Sequence, residues 1–523
     1  MQAAETKFQK IIEGTNQYVV PLFQRAYSWE KAQWQVLWDD LISLIESDES
    51  HTHFIGSIVT IPTNSVPEGV QKYLLIDGQQ RLTTIIILLA LLRDVANKQG
   101  LPEIAQEIEE TLIVNRFKKG DDYFKLLPTQ ADRPTFKNLI RRESSENSDK
   151  KPLSDCYQFF ERKFNQSRID LQRLFLVITN RLSIVSIVLD RDDNPYLVFE
   201  SLNAKGKPLS QSDLIRNYFF MRIHTDEQER VHGDFWQPMQ NDLGESLTEC
   251  IRHYLMREGA NVRQTDVYAT LKSRADKREP LAALSELAIF ARYYKKILSP
   301  ETESNTNLRE ALTRLNRLEV TIVYPFLLNC YDDYANNRIT VLEFVEVIKT
   351  LENFLIRRFV CNIPTVGLNK IFPPLYKQAQ NQAQLQSLSF AESVKLDLQK
   401  RGYPKDAEFR GHLTGTKLYG AGDRLTKTRL ILETLEATYN HKEKVLFTGA
   451  SIEHVLPQTP NDWWREHLGE EWQTTHELLL HTLGNLTLTA YNSELSNKQF
   501  PIKKQELIKS HFELNHYFQN ITN

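Results

Sequence analysis

The order of apolar and polar residues predicts both strands and helices in the first part of the chain. Three apolar-rich runs have the composition of strands: residues 54–60, 73–76 and 182–189. Residues 34–45 place their apolar side chains on one face at helical spacing, and residues 83–98 form a second strong helical pattern. The longest apolar run, residues 85–92, is far too short to span a bilayer, so it predicts a buried helix.

The pattern becomes helical throughout from residue 226 to residue 375. Three long amphipathic segments stand out: residues 281–298, 307–329 and 341–360. Their apolar stripes are typical of packing faces rather than of ligand-binding surfaces. The chain is therefore predicted to be α+β and predominantly helical, with an N-terminal α/β domain over 1–225, a helical middle over 226–398 and a C-terminal domain over 399–523.

Composition limits the classes of protein that the chain can represent. Its 523 residues suggest about three or four domains, and 41% hydrophobic with 25% charged residues is typical of a globular protein. The net charge of −3 gives no overall signature of nucleic-acid binding, so any contact with DNA must come from local patches. The four cysteines lie far apart, which argues against a zinc knuckle, and the N-terminus lacks a secretion signal. We expect a cytoplasmic protein with no membrane partner.

The motif with the most candidate catalytic residues is Ser-Ile-Glu-His-Val-Leu-Pro-Gln at residues 451–458. A second run, Leu-Gly-Asn-Leu-Thr-Leu, follows at residues 483–488. Glu453 can hold a hard cation and His454 can take a proton from water. Asn485 can pin the loop that presents His454. These residue types match the needs of phosphodiester hydrolysis with one Mg²⁺ or Mn²⁺ ion. Taken alone, the Glu-His pair would be an ordinary surface pair and the asparagines ordinary turn residues.

A second oxygen ligand for the metal is expected from an asparagine amide after the predicted strand 486–489. Asn492 is favoured because it stands where the next helix should begin, and Asn497 is the alternative. Both stay open as catalytic and metal-binding residues. Three lysines are predicted to contact the DNA backbone, with a solvated basic helix face as the alternative interpretation: Lys498, Lys503 and Lys504.

A second constellation lies in the Leu-Ile-Asp-Gly-Gln-Gln-Arg-Leu-Thr-Thr run at residues 75–84, where a predicted strand ends and a helix begins. A turn with Gly78 exposes backbone N–H groups to an anion. Asp77 can bind a cation and Arg81 can bind phosphate. The alternative is a common Asp-Gly turn. The chain has no G-x-x-x-x-G-K-[ST] motif, so a nucleotide site here would not be a P-loop.

Four ordered motifs together resemble the GmrSD-type modification-dependent (type IV) restriction endonucleases over nearly the whole chain. They are Phe-Gln-Arg-x-Tyr-x-Trp at 23–29, Asp-Gly-Gln-Gln-Arg at 77–81, Phe-Glu-Ser-Leu-Asn at 199–203 and Asp-Leu-Ile-Arg-Asn at 213–217. The run at 453–458 also looks like the Asp-His-Ile-Val-Pro-Gln run of the HNH domain in RNA-guided CRISPR nucleases. The resemblance implies a ParB/sulfiredoxin-like N-terminal domain, a helical middle and a C-terminal ββα-metal HNH domain.

The resemblance also implies what each domain does. The N-terminal domain of this family binds and hydrolyses a nucleoside triphosphate, GTP or ATP, and senses a modification of DNA, while the C-terminal domain cuts or nicks double-stranded DNA. Carried onto this chain, the nucleotide site would contain Gln24, Arg25, Asp77, Gly78, Gln79, Gln80 and Arg81, joined by Glu200, Asn203, Asp213 and Asn217. The expected substrate is modified phage DNA, and a homodimer stays open.

Three other functions compete with this one. A phosphorothioate-sensing NTPase that nicks unmodified phage DNA would use the same two domains. A nucleotide-gated DNA-binding regulator would keep the HNH fold without its activity, and a helical scaffold would carry the motifs by coincidence. The chain departs from similar proteins at its C-terminus, because these usually continue with a further helix beyond Asn523. We expect that difference to weaken the last domain or a dimer contact.

Overall fold

A computed structural model describes residues 2–47, 51–63, 69–143, 152–166, 169–190, 210–439 and 445–521. The chain divides into two compact units. The first consists of Met1–Pro238 with Leu271–Leu284, and the second of Met239–Thr270 with Ser285–Asn523. The predicted α+β, predominantly helical class is confirmed, since one mixed sheet lies in the first unit and helices form most of the rest. The predicted boundaries of three domains stay a prediction.

The first unit is organised around a six-stranded mixed sheet with the order β1-β6-β3-β4-β2-β5. Its strands are β1 Gln2–Lys7, β2 Asn16–Val19, β3 His53–Pro62, β4 Gln71–Asp77, β5 Leu126–Leu127 and β6 Leu182–Val188. The pairs β1–β6 and β3–β4 are antiparallel, whereas β3–β6, β2–β4 and β2–β5 are parallel. The three strands predicted from composition are β3, β4 and β6, and all three are confirmed.

The first part of the chain also contains many helices. They run over Phe8–Ile12, Lys31–Glu46, Gln79–Lys98, Pro102–Glu107, Arg133–Arg141, Pro152–Gln166, Leu171–Asn180, Gln211–Phe220, Thr225–Val231 and Gln237–Leu243. The helix Gln79–Lys98 is central, because its residues 85–92 are at most 2% exposed. A helix that is apolar on every side is stable in water only when it is covered all round. The prediction of a buried helix at 85–92 is therefore confirmed.

The remaining helices follow along the chain, and most of them belong to the second unit. They run over Leu247–Met256, Val267–Ala275, Pro280–Leu298, Thr306–Asn316, Tyr324–Ala335, Val341–Val360, Leu368–Gln386, Phe390–Gln399, Asp406–Gly415, Asp423–Ala437, Asp462–Leu468, Trp472–Leu479, Asn492–Leu495, Phe500–Leu507 and Glu513–His516.

The segment 307–329, predicted to be helical and amphipathic, is interrupted in the structure. The structure has two helices there, Thr306–Asn316 and Tyr324–Ala335. Between them Glu319 adopts a left-handed backbone conformation with φ of 55°. Pro325 lies in the first turn of the second helix, where its missing N–H costs no helical hydrogen bond. The apolar period continues across the break, which is why the pattern alone did not reveal it.

The last 120 or so residues contain a short two-stranded sheet, β7 Ser451–His454 and β8 Leu486–Thr489, paired antiparallel. The short helix Asn492–Leu495 and the helix Phe500–Leu507 follow β8. One apolar cluster lies under the sheet and contains Ile452, Leu486 and Leu488. A second cluster packs Val455 and Leu456 with residues of the two helices. The order strand, strand, helix places the end of β7 beside both helices.

The structure also bears on membrane insertion. Across the described ranges, no helix combines the length and the apolar character that crossing a bilayer requires.

Candidate functional site

The first candidate site is built at the end of β7, where Glu453 and His454 are adjacent. Glu453 lies opposite Thr487 of β8, and His454 lies opposite Leu486. Adjacent residues of a strand project to opposite faces, and the two side chains accordingly have different neighbours. Glu453 is 7% exposed and His454 is 5% exposed. The two functional groups are thus held in protein rather than in open solvent.

Asn485 holds the backbone immediately after His454. Its Oδ1 accepts a hydrogen bond from the Leu456 N–H at 2.6 Å, and its Nδ2 donates to the carbonyls of Leu456 at 3.0 Å and Leu480 at 2.8 Å. The Asn485 carbonyl also accepts from the Val455 N–H at 3.0 Å. One buried side chain therefore connects the turn after β7 to the turn before β8. This geometry gives Asn485 a positioning role rather than a reacting one.

Substituting Asn485 by Ala is expected to loosen this turn. The change leaves two buried backbone groups of Leu456 and one half-buried carbonyl of Leu480 without their partner, and each buried group costs about 1–3 kcal/mol. We expect the free energy of local opening, measured by hydrogen exchange at Leu456, to fall by about 2–4 kcal/mol. Asn497→Ala is the matched control, since Asn497 is exposed, and it should change exchange by less than about 0.5 kcal/mol. Equal exchange in the two variants would contradict the assignment.

His454 lies against a second histidine and a tyrosine. Its Nε2 is 3.2 Å from Nδ1 of His481, and the ring of Tyr419 packs edge-on at 4.5 Å between centroids. Burial, with the nearby His481, Lys503 and His476, lowers the pKa of His454 to about 4. The imidazole is therefore neutral near pH 7. Its Nδ1 has no hydrogen-bond partner among the described residues, and so it is the ring nitrogen available to accept a proton.

Glu453 is paired with Lys503, a residue on the helix Phe500–Leu507. The ammonium of Lys503 donates to Oε1 of Glu453 at 2.6 Å and to the His454 carbonyl at 2.8 Å. Lys503 is fully buried. The prediction that Lys503 contacts DNA is corrected here, because a buried ammonium with two internal acceptors is not available to a phosphate. Burial raises the pKa of Glu453, and Lys503 opposes that rise.

Asn492 and Asn497 have different surroundings. The Nδ2 of Asn492 donates to Ser451 Oγ at 2.7 Å and to the Ile452 carbonyl at 3.2 Å, so its amide lies on the strand that carries Glu453. Its Oδ1 is buried and has no hydrogen-bond partner among the described residues. The Asn497 side chain is exposed, while its carbonyl accepts from Asn461 Nδ2. The geometry favours Asn492 over Asn497 as an oxygen ligand at this site.

The other two lysines predicted to contact DNA differ in their exposure to solvent. Lys498 is exposed. Lys504 is half-buried, and its ammonium donates to the Ile521 carbonyl at 2.6 Å. Lys498 is therefore better placed than Lys504 to meet a phosphate.

The donor atoms at β7 fit a hard divalent cation in kind. A carboxylate and an unpartnered amide oxygen are ligands that Mg²⁺ accepts, with water or phosphate oxygens completing its shell. Among the described residues, no group of three or more His, Cys, Asp or Glu side chains is arranged to hold a metal ion. A metal held by Glu453 and Asn492 would therefore depend on oxygen atoms of water or substrate. It would also have to share Glu453 with Lys503.

The second candidate site lies where β4 ends and the helix Gln79–Lys98 begins. Gly78 caps this helix in a left-handed conformation with φ of 93°, and a Cβ there would lie 2.9 Å from Ile58 Cγ1. Only glycine allows this close approach. Arg81 Nη2 donates to the Ser57 carbonyl at 2.5 Å and lies 3.4 Å from Asp77 Oδ2. The buried Nε of Arg81 has no hydrogen-bond partner in the described ranges.

Three glutamines of the predicted nucleotide site mainly hold the segment 23–28. Gln24 donates to the Ile76 carbonyl at 2.9 Å and accepts from Gln79 Nε2 at 3.1 Å. Gln80 accepts from the Ser28 N–H at 2.8 Å and donates to the Ala26 carbonyl at 3.3 Å. Both ends of the Gln24 and Gln80 amides are therefore engaged by protein. Gln24 and Gln80, which were predicted to contact a nucleotide directly, therefore position this segment instead. Oε1 of Gln79 accepts no hydrogen bond from the described residues.

The helix Gln211–Phe220 brings further polar residues to this segment. Arg216 is buried and donates to the Phe23 carbonyl at 2.5 Å and to Asp213 Oδ1 at 2.6 Å. Burial lowers the pKa of Arg25, while the charges of Asp213 and Asp77 oppose that fall, which places both carboxylates near Arg25. Asn217 is buried, and within the part of the chain that the structure describes its Oδ1 has no hydrogen-bond partner.

The predicted site residues Glu200 and Asn203 lie outside the described residues.

Sequence reasoning missed three residues that the structure places in these sites. Arg216 lies inside the Asp-Leu-Ile-Arg-Asn run, so the motif itself contained the signal. His481 lies four positions before Asn485, but a lone histidine before a Leu-Gly-Asn turn does not form a metal-binding or catalytic sequence motif. Tyr419 is 35 residues before His454 and had no local signal at all. Their roles follow from contacts between distant segments.

Comparison with known proteins assigns the chain to a class. One family model, described as the GmrSD restriction endonuclease N-terminal domain, matches residues 6–220. A second, the GmrSD restriction endonuclease C-terminal domain, matches residues 403–523. No curated protein matched the sequence. The two matches together cover more than half of the chain and define a restriction endonuclease, an enzyme that cuts DNA. The protein belongs to the GmrSD restriction endonuclease family.

Proposed function

We propose that the protein is an NTP-regulated, modification-dependent DNA endonuclease of anti-phage defence, with its nuclease centre at the end of β7. The observation that carries this proposal is the position of Glu453, His454 and the Asn492 amide around one short strand, whose following turn Asn485 holds. A carboxylate and an imidazole on one supported strand, with an amide from the helix that contacts it, are the groups that hydrolysis of a phosphodiester requires.

His454 is the general base in this proposal. Its neutral imidazole takes a proton from water at Nδ1, while Nε2 stays against His481. The water then attacks the phosphorus, and the bond to the leaving oxygen breaks. Asn485 keeps the ring in place through the Leu456 backbone. Glu453 and Asn492 would hold one Mg²⁺ or Mn²⁺ ion, which when bound supplies charge stabilisation to the phosphate oxygens.

Arg25, Asp77 and Arg81 are the proposed nucleotide-binding side chains of the N-terminal domain. The start of a 20-residue helix at Gly78 presents N–H groups to an anion, and two guanidinium groups add positive charge. Asp77 would hold the cation that accompanies a triphosphate. The unpartnered Oδ1 of Asn217 is a further polar atom near this segment. Binding of GTP or ATP here would control when the nuclease acts.

Substituting Asp77 by Ala is expected to abolish this control. Losing the carboxylate removes the cation ligand and releases Arg81, its partner at 3.4 Å. We expect GTP or ATP hydrolysis by the purified full chain to fall by about 10²-fold or more, and cleavage to lose its response to nucleotide. Asp226→Ala is the matched control, because Asp226 is an exposed acid of the same unit. Hydrolysis and nucleotide-dependent cleavage that match the control would show that the site lies elsewhere.

The substrate is tested with a DNA panel. Unmodified, hydroxymethylated, glucosylated and phosphorothioate duplexes are incubated with Mg²⁺ or Mn²⁺, with and without GTP or ATP. We expect cleavage of one modified class, dependent on a divalent ion and altered by nucleotide. Nucleotide hydrolysis stimulated by phosphorothioate DNA, together with nicking of unmodified DNA, would favour the phosphorothioate sensor instead.

A nucleotide-gated DNA-binding regulator with an inactive nuclease fold is the second candidate. The contact of Lys503 with Glu453 favours it, because the ammonium occupies a carboxylate oxygen that a metal would use. The same panel separates the two functions. Nucleotide hydrolysis and DNA binding without any cleavage would support the regulator.

A further inference from the structure

A cavity of about 340 Å³ lies in the second unit, apart from both candidate sites. It is formed by the C-terminal half of the helix Val341–Val360, the segment that follows this helix, and the start of the helix Asp423–Ala437. Its lining includes four charged side chains: Arg358, Asp423, Arg424 and Lys427.

Arg358 is the least compensated of these charges. It is 7% exposed, and its Nη2 donates to the Pro364 carbonyl at 2.8 Å. No carboxylate of the described residues forms an ion pair with it. Burial lowers the pKa of Arg358, as expected for a cation without a counter-ion. Buried charges in proteins are normally paired, so a buried guanidinium that faces a cavity indicates an anion that binds there.

Arg424 adds a second positive charge to the same cavity. Its Nη1 donates to the Lys417 carbonyl at 2.6 Å, its Nη2 donates to Asn362 Oδ1 at 3.2 Å, and the guanidinium lies 5.5 Å from the centre of the Phe359 ring. These contacts hold the group in place without neutralising it.

Lys427 and Asp423 contribute no net charge. The Lys427 ammonium lies 2.5 Å from Asp423 Oδ2, so this pair is neutral as a unit. The cavity wall is left with the two guanidinium charges of Arg358 and Arg424. Both are held by neutral acceptors of the protein.

We propose that this cavity binds a phosphate group, carried by a free nucleotide or by the DNA backbone. Two guanidinium forks on one wall suit the oxygens of a phosphate, which they bind in pairs. Its volume lies at the lower end of the range for small-ligand sites, about 300–1,000 Å³, so it has room for one nucleotide or for one phosphate group of a DNA backbone, but not for a whole duplex. This site is distinct from the Asp77 site and from the centre at β7.

The position of Arg424 relates this cavity to the nuclease centre. Its acceptor Lys417 is followed by Leu418 and Tyr419, whose N–H groups both donate to the His481 carbonyl. The Tyr419 ring stacks on His481 and touches His454. A phosphate bound by Arg424 would therefore act on the segment that packs against the proposed base. This consequence rests on the proposed nuclease function, whereas binding itself does not.

Binding is tested on the full chain with two variants and a control. Arg424→Gln and Arg358→Gln each remove one charge from the cavity, and Arg410→Gln removes an exposed arginine of the same unit. All are made in an Asp77→Ala background, so that the N-terminal site does not mask the result. The probes are GTP, ATP and a short fluorescent DNA duplex, with titration by calorimetry or anisotropy and a check of folding by circular dichroism.

We expect Arg424→Gln to weaken binding of at least one probe about tenfold or more, with Arg410→Gln within about twofold of the parent. Weaker binding of GTP or ATP would identify a nucleotide as the carrier of the phosphate, and weaker binding of the duplex would identify the DNA backbone. If the Arg358→Gln protein does not fold, the Arg424→Gln variant alone tests the proposal, because Arg424 is only half-buried. Unchanged affinity for every probe in folded Arg424→Gln protein would overturn the proposal. The affinities measured here do not depend on DNA cleavage, so failure of the proposed nuclease function would not change the outcome of this binding test.

Discussion

Replacing His454 by Ala is expected to abolish DNA cleavage while leaving DNA binding intact. A positioned general base contributes about 10²–10⁴-fold to rate, and no other described imidazole on this strand can replace it. Cleavage of the susceptible duplex should fall by that factor in a time course under saturating Mg²⁺. Anisotropy with the same labelled duplex should give a dissociation constant close to that of the parent protein.

His467→Ala is the matched control for this experiment. His467 is exposed and stacks on Trp463 at 4.6 Å between ring centroids. Its replacement therefore removes an imidazole from the same domain without changing β7. The control should cut at the parental rate. Retained cleavage by His454→Ala protein would remove His454 from the mechanism. Loss of cleavage in both variants would indicate a general defect of the domain.

Replacing Lys503 by Met is expected to cause the largest loss of stability. The change leaves the Glu453 carboxylate buried without its cation, and breaking a buried ion pair from one side costs about 3–5 kcal/mol. It also removes the donor to the His454 carbonyl. We expect the calorimetric transition that includes the C-terminal domain to move to clearly lower temperature.

Two further proteins test this interpretation. The double variant Glu453→Gln with Lys503→Met carries no unpaired charge, so it should recover most of the lost stability. Lys509→Met is the control, because Lys509 forms an exposed pair with Glu506 that contributes about 0–1 kcal/mol. If the single variant were as stable as the control, the ion pair between Glu453 and Lys503 would not support the strand.

Strands and helices were predictable wherever the apolar period was strong. The helix Lys31–Glu46 buries the Trp34, Leu37 and Leu41 face that its spacing indicated. The edge strand β1 was not predicted, because five of its six residues are exposed and none of them is a large apolar residue. Its pairing with β6 depends on backbone hydrogen bonds, which leave no trace in composition.

The sequence by itself indicated the motif residues at the centre of the two candidate sites. Asp77 with Gly78, and Glu453 with His454, are neighbours in the chain, so they are neighbours in any fold. The alternation of side chains along a strand, and the turn where a strand gives way to a helix, already placed these groups at element ends. The motif order was also sufficient to suggest the family that the comparisons later assigned.

Only the tertiary structure decided which of these groups meet. Lys503 reaches Glu453 across 50 positions, and His481 reaches His454 across 27. A helical pattern tells which residues share a face, but it does not tell what that face packs against. The predicted DNA-contacting Lys503 became a buried ion-pair partner for this reason. The same packing brought Arg358 and Arg424 to one cavity, because burial and charge compensation are properties of the folded chain.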